Sequence, residues 1–170
     1  MKSQPTQDAF QLLGSGTAYR DELCTLISGT QLFRDFDWTD IETLANYMQA
    51  YSIPKDTTLF NEGDNGTYMC LIIEGMITIY KQDQNNQEKL VANISNGKTL
   101  GEMAIIDGEP RSATAIAAEH TTIAMLTKNN FQLIMSEKPG LSTKILLKIS
   151  RLLSQRLRQT SGQLVDYLAQ

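Results

Sequence analysis

Residues 100–114 read LGEMAIIDGEPRSAT and hold the one constellation in the sequence suited to specific chemistry. Gly101-Glu102 breaks a β-rich region, a short apolar turn follows, and Pro110-Arg111-Ser112 returns the chain to extended backbone. Pro110 has no N–H and biases Glu109 away from helix, so the segment reads as strand, one helical turn, strand. A helix start at 102–104 directs free backbone N–H groups outward, a ready anion site. Arg111 brings a fork of donors suited to a phosphate, and Ser112 adds a hydroxyl. A carboxylate beside an anion site is out of place for phosphate alone. Glu102 makes sense if the ligand also presents a hydroxyl, and phosphate with a vicinal hydroxyl describes a ribose phosphate. An ordinary salt bridge between Glu102 and Arg111 across the turn accounts for the same two residues equally well.

The flanking elements must hold that segment in place. Residues 1–17 are polar with Gly and Ser and read as a mobile tip. Leu23, Leu26 and Ile27 mark a helix over 18–29. A second helix is signalled by Thr39 as N-cap with Glu42 three residues on, a capping-box pattern, followed by Ile41, Leu44, Ala45 and Met48. From about residue 50 short β-branched and aromatic runs take over: 57–60, 68–73, 76–80, 90–94, 113–118 and 121–126. Turn signals from Gly66 onward fall about 9 to 12 residues apart, the spacing of a sandwich or barrel. Phe131 to Met135 suggest a short helix that stops at Pro139-Gly140. A long helix then runs from 141 to about 168, roughly 42 Å. Its stripe of Ile149, Leu153, Leu157, Thr160, Leu164 and Leu168 resembles a coiled-coil seam with one polar break. An apolar stripe projecting beyond a small barrel needs a partner, and a second copy of the chain is the simplest one.

Composition narrows the function classes. The chain has 170 residues, 41% hydrophobic and 20% charged, which is globular composition. The net charge of −4 argues against a general nucleic-acid coat or a polybasic membrane binder. No apolar h-region follows Lys2 and no apolar run reaches membrane-spanning length, so a cytoplasmic protein without membrane attachment is expected. Cys24 and Cys70 read as reduced thiols, Cys70 in the core. The single histidine, His120, sits in a turn and reads as exposed, and no metal site or His-based triad is expected.

The segment LGEMAIIDGEPRSAT resembles the phosphate-binding cassette of cyclic nucleotide-binding domains. LFNEGDNGTYMCLIIEGMITIY, with Gly63, Gly66 and Gly75, resembles the barrel of the same family. The similarity covers about residues 35–168. It implies a mainly β fold with flanking α: an eight-stranded double-stranded β-helix, or jelly roll, with N-terminal helices and a long C-terminal dimerisation helix. It divides the chain into an N-terminal extension (1–35), the roll with its flanking helices (36–140) and the long helix (141–170). It implies that Glu102 accepts the ribose 2′-OH and Arg111 pairs with the cyclic phosphate. Gly101, Met103, Ala104, Ser112 and Ala113 complete the cassette through their backbone, with Ser112 also offering its hydroxyl.

The long helix resembles the dimerising helix of the catabolite activator protein superfamily, and QRLRQTSGQLV resembles its adenine-contacting stretch. Thr160 then contacts the base in its own subunit and Ser161 reaches it across a homodimer. Helix-surface polarity or a register-setting break is the alternative reading of Thr160 and Ser161. The implied ligand is cAMP, with cGMP possible through Ser112, and the implied role is a non-enzymatic sensor acting on an effector protein. A scaffold subunit that no longer senses, a cyclic dinucleotide binder and a phosphodiesterase are the alternatives. With Gln170 the last residue of the sequence, neither a following helix-turn-helix nor direct DNA binding is expected. Lys144, Lys148, Arg151, Arg156 and Arg158 lie where no acid occurs, between Glu137 and Asp166, and read as a solvated helix face. Trp38 is expected to pack the second helix onto the barrel, and Met103 to plug the core beneath the phosphate.

Overall fold

The structure is a computed structural model that describes residues 9–15 and 19–169. Two antiparallel sheets form a roll. In the first, the strand order is β1 (Gln11–Ser15), β2 (Met48–Ile53), β9 (Thr121–Thr127), β4 (Tyr68–Glu74) and β7 (Thr99–Leu100). The second runs β3 (Thr58–Phe60), β8 (Thr114–Ala117), β5 (Met76–Gln82) and β6 (Glu88–Ser95). Strands β2 to β9 supply the eight expected from the family resemblance, and β1 is an addition.

Strand periodicity explains why β4 and β9 read as continuous apolar runs. Side chains alternate between the faces of a strand, and here both faces are covered. Tyr68, Cys70, Ile72, Ile123 and Met125 turn into the roll. Met69, Leu71, Ala124 and Leu126 face a second core. That core is built by α1 (Arg20–Ser28), α2 (Trp38–Ala45), α4 (Lys128–Glu137) and the near half of α5 (Pro139–Leu168). Ile145 and Ile149 seat α5 against the body, while Leu157, Leu164 and Leu168 are exposed. The far half of α5 therefore carries its apolar residues in solvent.

Several expectations are corrected. Residues 11–15 form β1, so the polar N-terminal stretch is not uniformly a mobile tip; residues 1–8 and 16–17 lie outside the described residues. QLLGS has no β-branched residue, and its strand comes from pairing with β2, where Leu12 meets Tyr51. Helix α2 starts two residues earlier than read: Asp37 is the N-cap, in extended conformation and without a side-chain cap. Thr39 lies inside the helix, where its carbonyl accepts from Thr43 Oγ1 at 2.8 Å. Trp38, at the first helical position, is 54% exposed, because Ile41, Leu44 and Ala45 carry the buried face. Cys70 is buried, and His120 is exposed beside Ser52, Oγ to Nε2 2.8 Å.

Candidate functional site

The cassette folds as its sequence suggests: β7, then the single-turn helix α3 (Glu102–Asp107), then an extended return to β8. Gly101 caps α3 at φ 78°, a left-handed conformation that favours glycine. A Cβ there would also stand 2.5 Å from an Arg111 guanidinium nitrogen and 3.1 Å from the Tyr68 carbonyl. At Gly66 a Cβ would fall 2.0 Å from that of Ala104, so the 61–66 turn lies directly on α3. The same turn seats Arg111 through its backbone: Arg111 N donates to Asp64 O and Gly63 N to Arg111 O, both at 2.8 Å.

Arg111 is only 4% exposed. One terminal nitrogen donates to Tyr68 O at 2.6 Å and the other to Gly101 O at 3.1 Å. The guanidinium lies over the Phe60 ring at 4.1 Å and the Tyr68 ring at 4.8 Å, cation–π distances. No carboxylate pairs with it among the described residues, and burial lowers its pKa below the ordinary arginine value. Among the described residues this desolvated positive charge is thus served by carbonyls and rings alone.

Glu102, 2% exposed, is not bridged to Arg111, which removes the simple salt-bridge explanation. Its Oε1 pairs instead with Arg156, which reaches over from α5. Arg156 also donates to Thr99 O at 2.8 Å and to Thr99 Oγ1 at 3.3 Å. Among the described residues, three buried side-chain polar atoms lack a hydrogen-bond partner: Arg20 Nε, Glu102 Oε2 and Arg111 Nε. The last two belong to residues lining one cavity of about 290 Å³. Such atoms are costly unless something pairs with them. One is an acceptor that needs a hydroxyl or N–H, and the other is a cationic donor that needs an anion.

The cavity lining brings together Gly101, Glu102, Met103, Ala104, Arg111, Ser112 and Ala113, with Ile79, Ala92, Ile94 and Leu100 as apolar wall. Met103 is 48% exposed and does not plug the core; the buried α3 residues are Glu102, Ala104 and Ile105. Thr160 and Ser161 are not brought to the lining of this chain's cavity: both are exposed on α5, with Thr160 four residues past Arg156. Four residues of helix return to the same face about 6 Å further along. Sequence reasoning missed Arg156 as a site residue, because nothing in the sequence ties it to a glutamate 54 positions away. The basic face of α5 is likewise less solvated than read. Lys144 pairs with Asp40 at 2.5 Å and Asp37 at 3.5 Å, and Lys148 pairs with Asp35.

Residues 51–138 match the family model of the cyclic nucleotide-binding domain. The chain belongs to that family. Among solved structures it resembles a cyclic nucleotide-binding domain from Methylobacillus flagellatus, with a TM-score of 0.83 and 31% identity, covering 95% of this chain and 91% of that one. Among curated proteins it is 25% identical to the cyclic AMP receptor protein of Thermus thermophilus, over 81% of this chain and 62% of the relative. It is 29% identical to the cAMP-dependent protein kinase regulatory subunit of Candida albicans, over 69% of this chain and 24% of the relative. The chain thus spans less than two thirds of these curated relatives. Among the described residues no helix is long and apolar enough to cross a membrane, and no group of three His, Cys, Asp or Glu side chains could hold a metal ion.

Proposed function

We propose that this chain is a cAMP-binding regulatory module, without catalysis of its own, that passes occupancy of its cavity to a partner protein through α5. The observation that carries the reading is the pair of buried, oppositely charged, unpartnered atoms in one cavity, Glu102 Oε2 and Arg111 Nε. A ribose 3′,5′-cyclic phosphate presents the complement of both: an anionic diester for Arg111 and a 2′-hydroxyl for Glu102. The amides of Met103 and Ala104, in the first turn of α3, add donors for the phosphate. That two curated relatives are a cyclic AMP receptor protein and a cAMP-dependent kinase regulatory subunit favours cAMP.

Arg156 links site to helix, since it leaves α5 to occupy Glu102 Oε1. A ligand that engages Glu102 and its surroundings differently in two helix positions would shift their populations, and only through such differential affinity. The exposed Leu157, Leu164 and Leu168 suit a homodimer through α5, which would bring the partner subunit's helix near the base. Thr160, on the Arg156 face, is then placed to read the adenine amino group, with Ser161 serving across the dimer. Calorimetry with cAMP and cGMP tests the reading. Saturation near one cAMP per chain, tighter than cGMP, is expected. Tighter cGMP binding would move specificity to Ser112, and binding of neither would overturn the sensor.

A further inference from the structure

Helix α5 has a third face that neither the body nor the proposed dimer uses. Leu147, Arg151, Ser154, Arg158 and Val165 are spaced 4, 3, 4 and 7, a heptad line along the helix. All five are exposed. One residue turns an α-helix by about 100°, which puts this line about 100° round from Leu153, Leu157, Leu164 and Leu168. It lies about 160° from Ile145, Ile149 and Leu152, so it points away from the body. Its near end borders a cleft of about 190 Å³ that Phe36 and Leu147 share with Lys144, Lys148, Arg151 and Asp35. The cations there are unevenly paired. Asp37 and Asp40 serve Lys144, and Asp35 serves Lys148. Arg151 and Arg158 form no ion pair among the described residues, and the sequence has no acid between Glu137 and Asp166. Two unpaired cations, about 10 Å apart along the axis, thus stand on a line with an apolar residue at either end.

We propose that this line is a docking face for an acidic amphipathic helix of a partner protein. A heptad spacing keeps a facing helix in register along its length. Ser154, small and set between the two arginines, lets that helix come close. Carboxylates one heptad apart on the partner then meet the guanidinium forks of Arg151 and Arg158. An apolar side chain of the partner enters the cleft beside Phe36 and Leu147. Lipid or nucleic-acid phosphates match this face less well. Anionic membranes are met by clusters of about four to eight basic residues, whereas here two cations are unpaired and Asp35, Asp37 and Asp40 share the near end. No residue of the line borders the cassette cavity, so docking here and cAMP binding can fail independently.

The probe is a capped, fluorescently labelled helical peptide of about three heptads, with leucines at its ends and two glutamates one heptad apart. Its control carries glutamine for glutamate. Anisotropy titration with the whole chain should saturate and should weaken with added salt. Arg151→Gln and Arg158→Gln should each weaken binding about two- to fivefold, the range for an exposed ion pair, and the glutamine peptide should lose at least as much. Both side chains are exposed, so the variants should keep the parent's Tm. Amide NMR should place the shifts at Phe36 and along residues 147–158. The proposal fails if the peptide does not saturate, if the glutamine peptide and both variants bind as the parent pair does, or if the shifts centre on Leu157, Leu164 and Leu168. Tighter binding to phosphatidylserine vesicles or to duplex DNA than to the peptide would also overturn it, in favour of a phosphate surface.

Discussion

Arg111→Met separates what the buried guanidinium does for the fold from what it does for a ligand. Methionine fills much of the space between Phe60 and Tyr68 but carries no charge. In the unliganded protein two effects oppose each other. The variant loses hydrogen bonds to Gly101 O and Tyr68 O, about 1.5–3 kcal/mol each for a charged donor. It also escapes the several kcal/mol needed to desolvate a cation that is 4% exposed. Their difference sets the unliganded Tm, which should fall by less than the hydrogen bonds alone would suggest. Ligand binding has no such offset: removing the phosphate's charge partner should cost about 2–5 kcal/mol, or about 30-fold to several-thousand-fold in affinity. In differential scanning fluorimetry, cAMP at 100 times the parent's Kd stabilises the parent by about 2.7 kcal/mol, roughly 5–11 °C at this chain length. A variant weakened 30-fold or more gains at most about 0.9 kcal/mol, or about 2–3 °C. A folded Arg111→Met protein that keeps the parent's cAMP-induced shift would refute the placement of the phosphate on Arg111.

Arg156→Gln removes the ion pair of Glu102. Because Arg156 is partly exposed, the loss should be about 1–2 kcal/mol, a Tm drop of about 2–8 °C, read by the same scan without ligand. Leu157→Glu with Leu164→Glu should convert a dimer to a monomer in sedimentation velocity while leaving the Tm of the body nearly unchanged, since both side chains are exposed. Ile149→Ala, in the docked half of α5 and 1% exposed, should instead cost about 2–5 kcal/mol in denaturant unfolding. Burial pushes the Cys70 thiol up to about 12, well above the unfolded value of about 8.5. Between those values the folded state holds the proton that the unfolded state releases, so stability falls as pH rises. The slope is about 1.4 kcal/mol per unit once pH exceeds the unfolded value, and Cys70→Ala should flatten it between pH 9 and 10.

The roll was legible in the sequence wherever local pattern and tertiary role coincide. β4, β5 and β9 are β-branched or aromatic runs bounded by turn residues, and the cassette is a contiguous string whose glycine, carboxylate and arginine carry their meaning locally. β1 was not legible, because QLLGS becomes a strand only through its pairing with β2. Trp38 was misread because a large apolar residue at a helix start need not face the core. Met103 was misread for a related reason: the buried side of α3 is set by Glu102, Ala104 and Ile105. Arg156 was hidden by distance along the chain, since its role depends on where a long helix crosses the cavity. That the partner of Glu102 comes from α5, with Arg111 left without a carboxylate among the described residues, is a property of the fold that residue types and spacing do not encode.

The central claim is that Glu102 accepts a ligand hydroxyl while Arg111 holds a cyclic phosphodiester. Calorimetric titration with cAMP, 2′-deoxy-cAMP and adenosine tests it most directly. The account predicts saturable cAMP binding near one per chain. Loss of the 2′-hydroxyl, which strands a buried carboxylate oxygen, should weaken binding about tenfold or more, and loss of the phosphate should weaken it by about 30-fold or more. Equal affinity for cAMP and its 2′-deoxy form, or adenosine binding as tightly as cAMP, would contradict it.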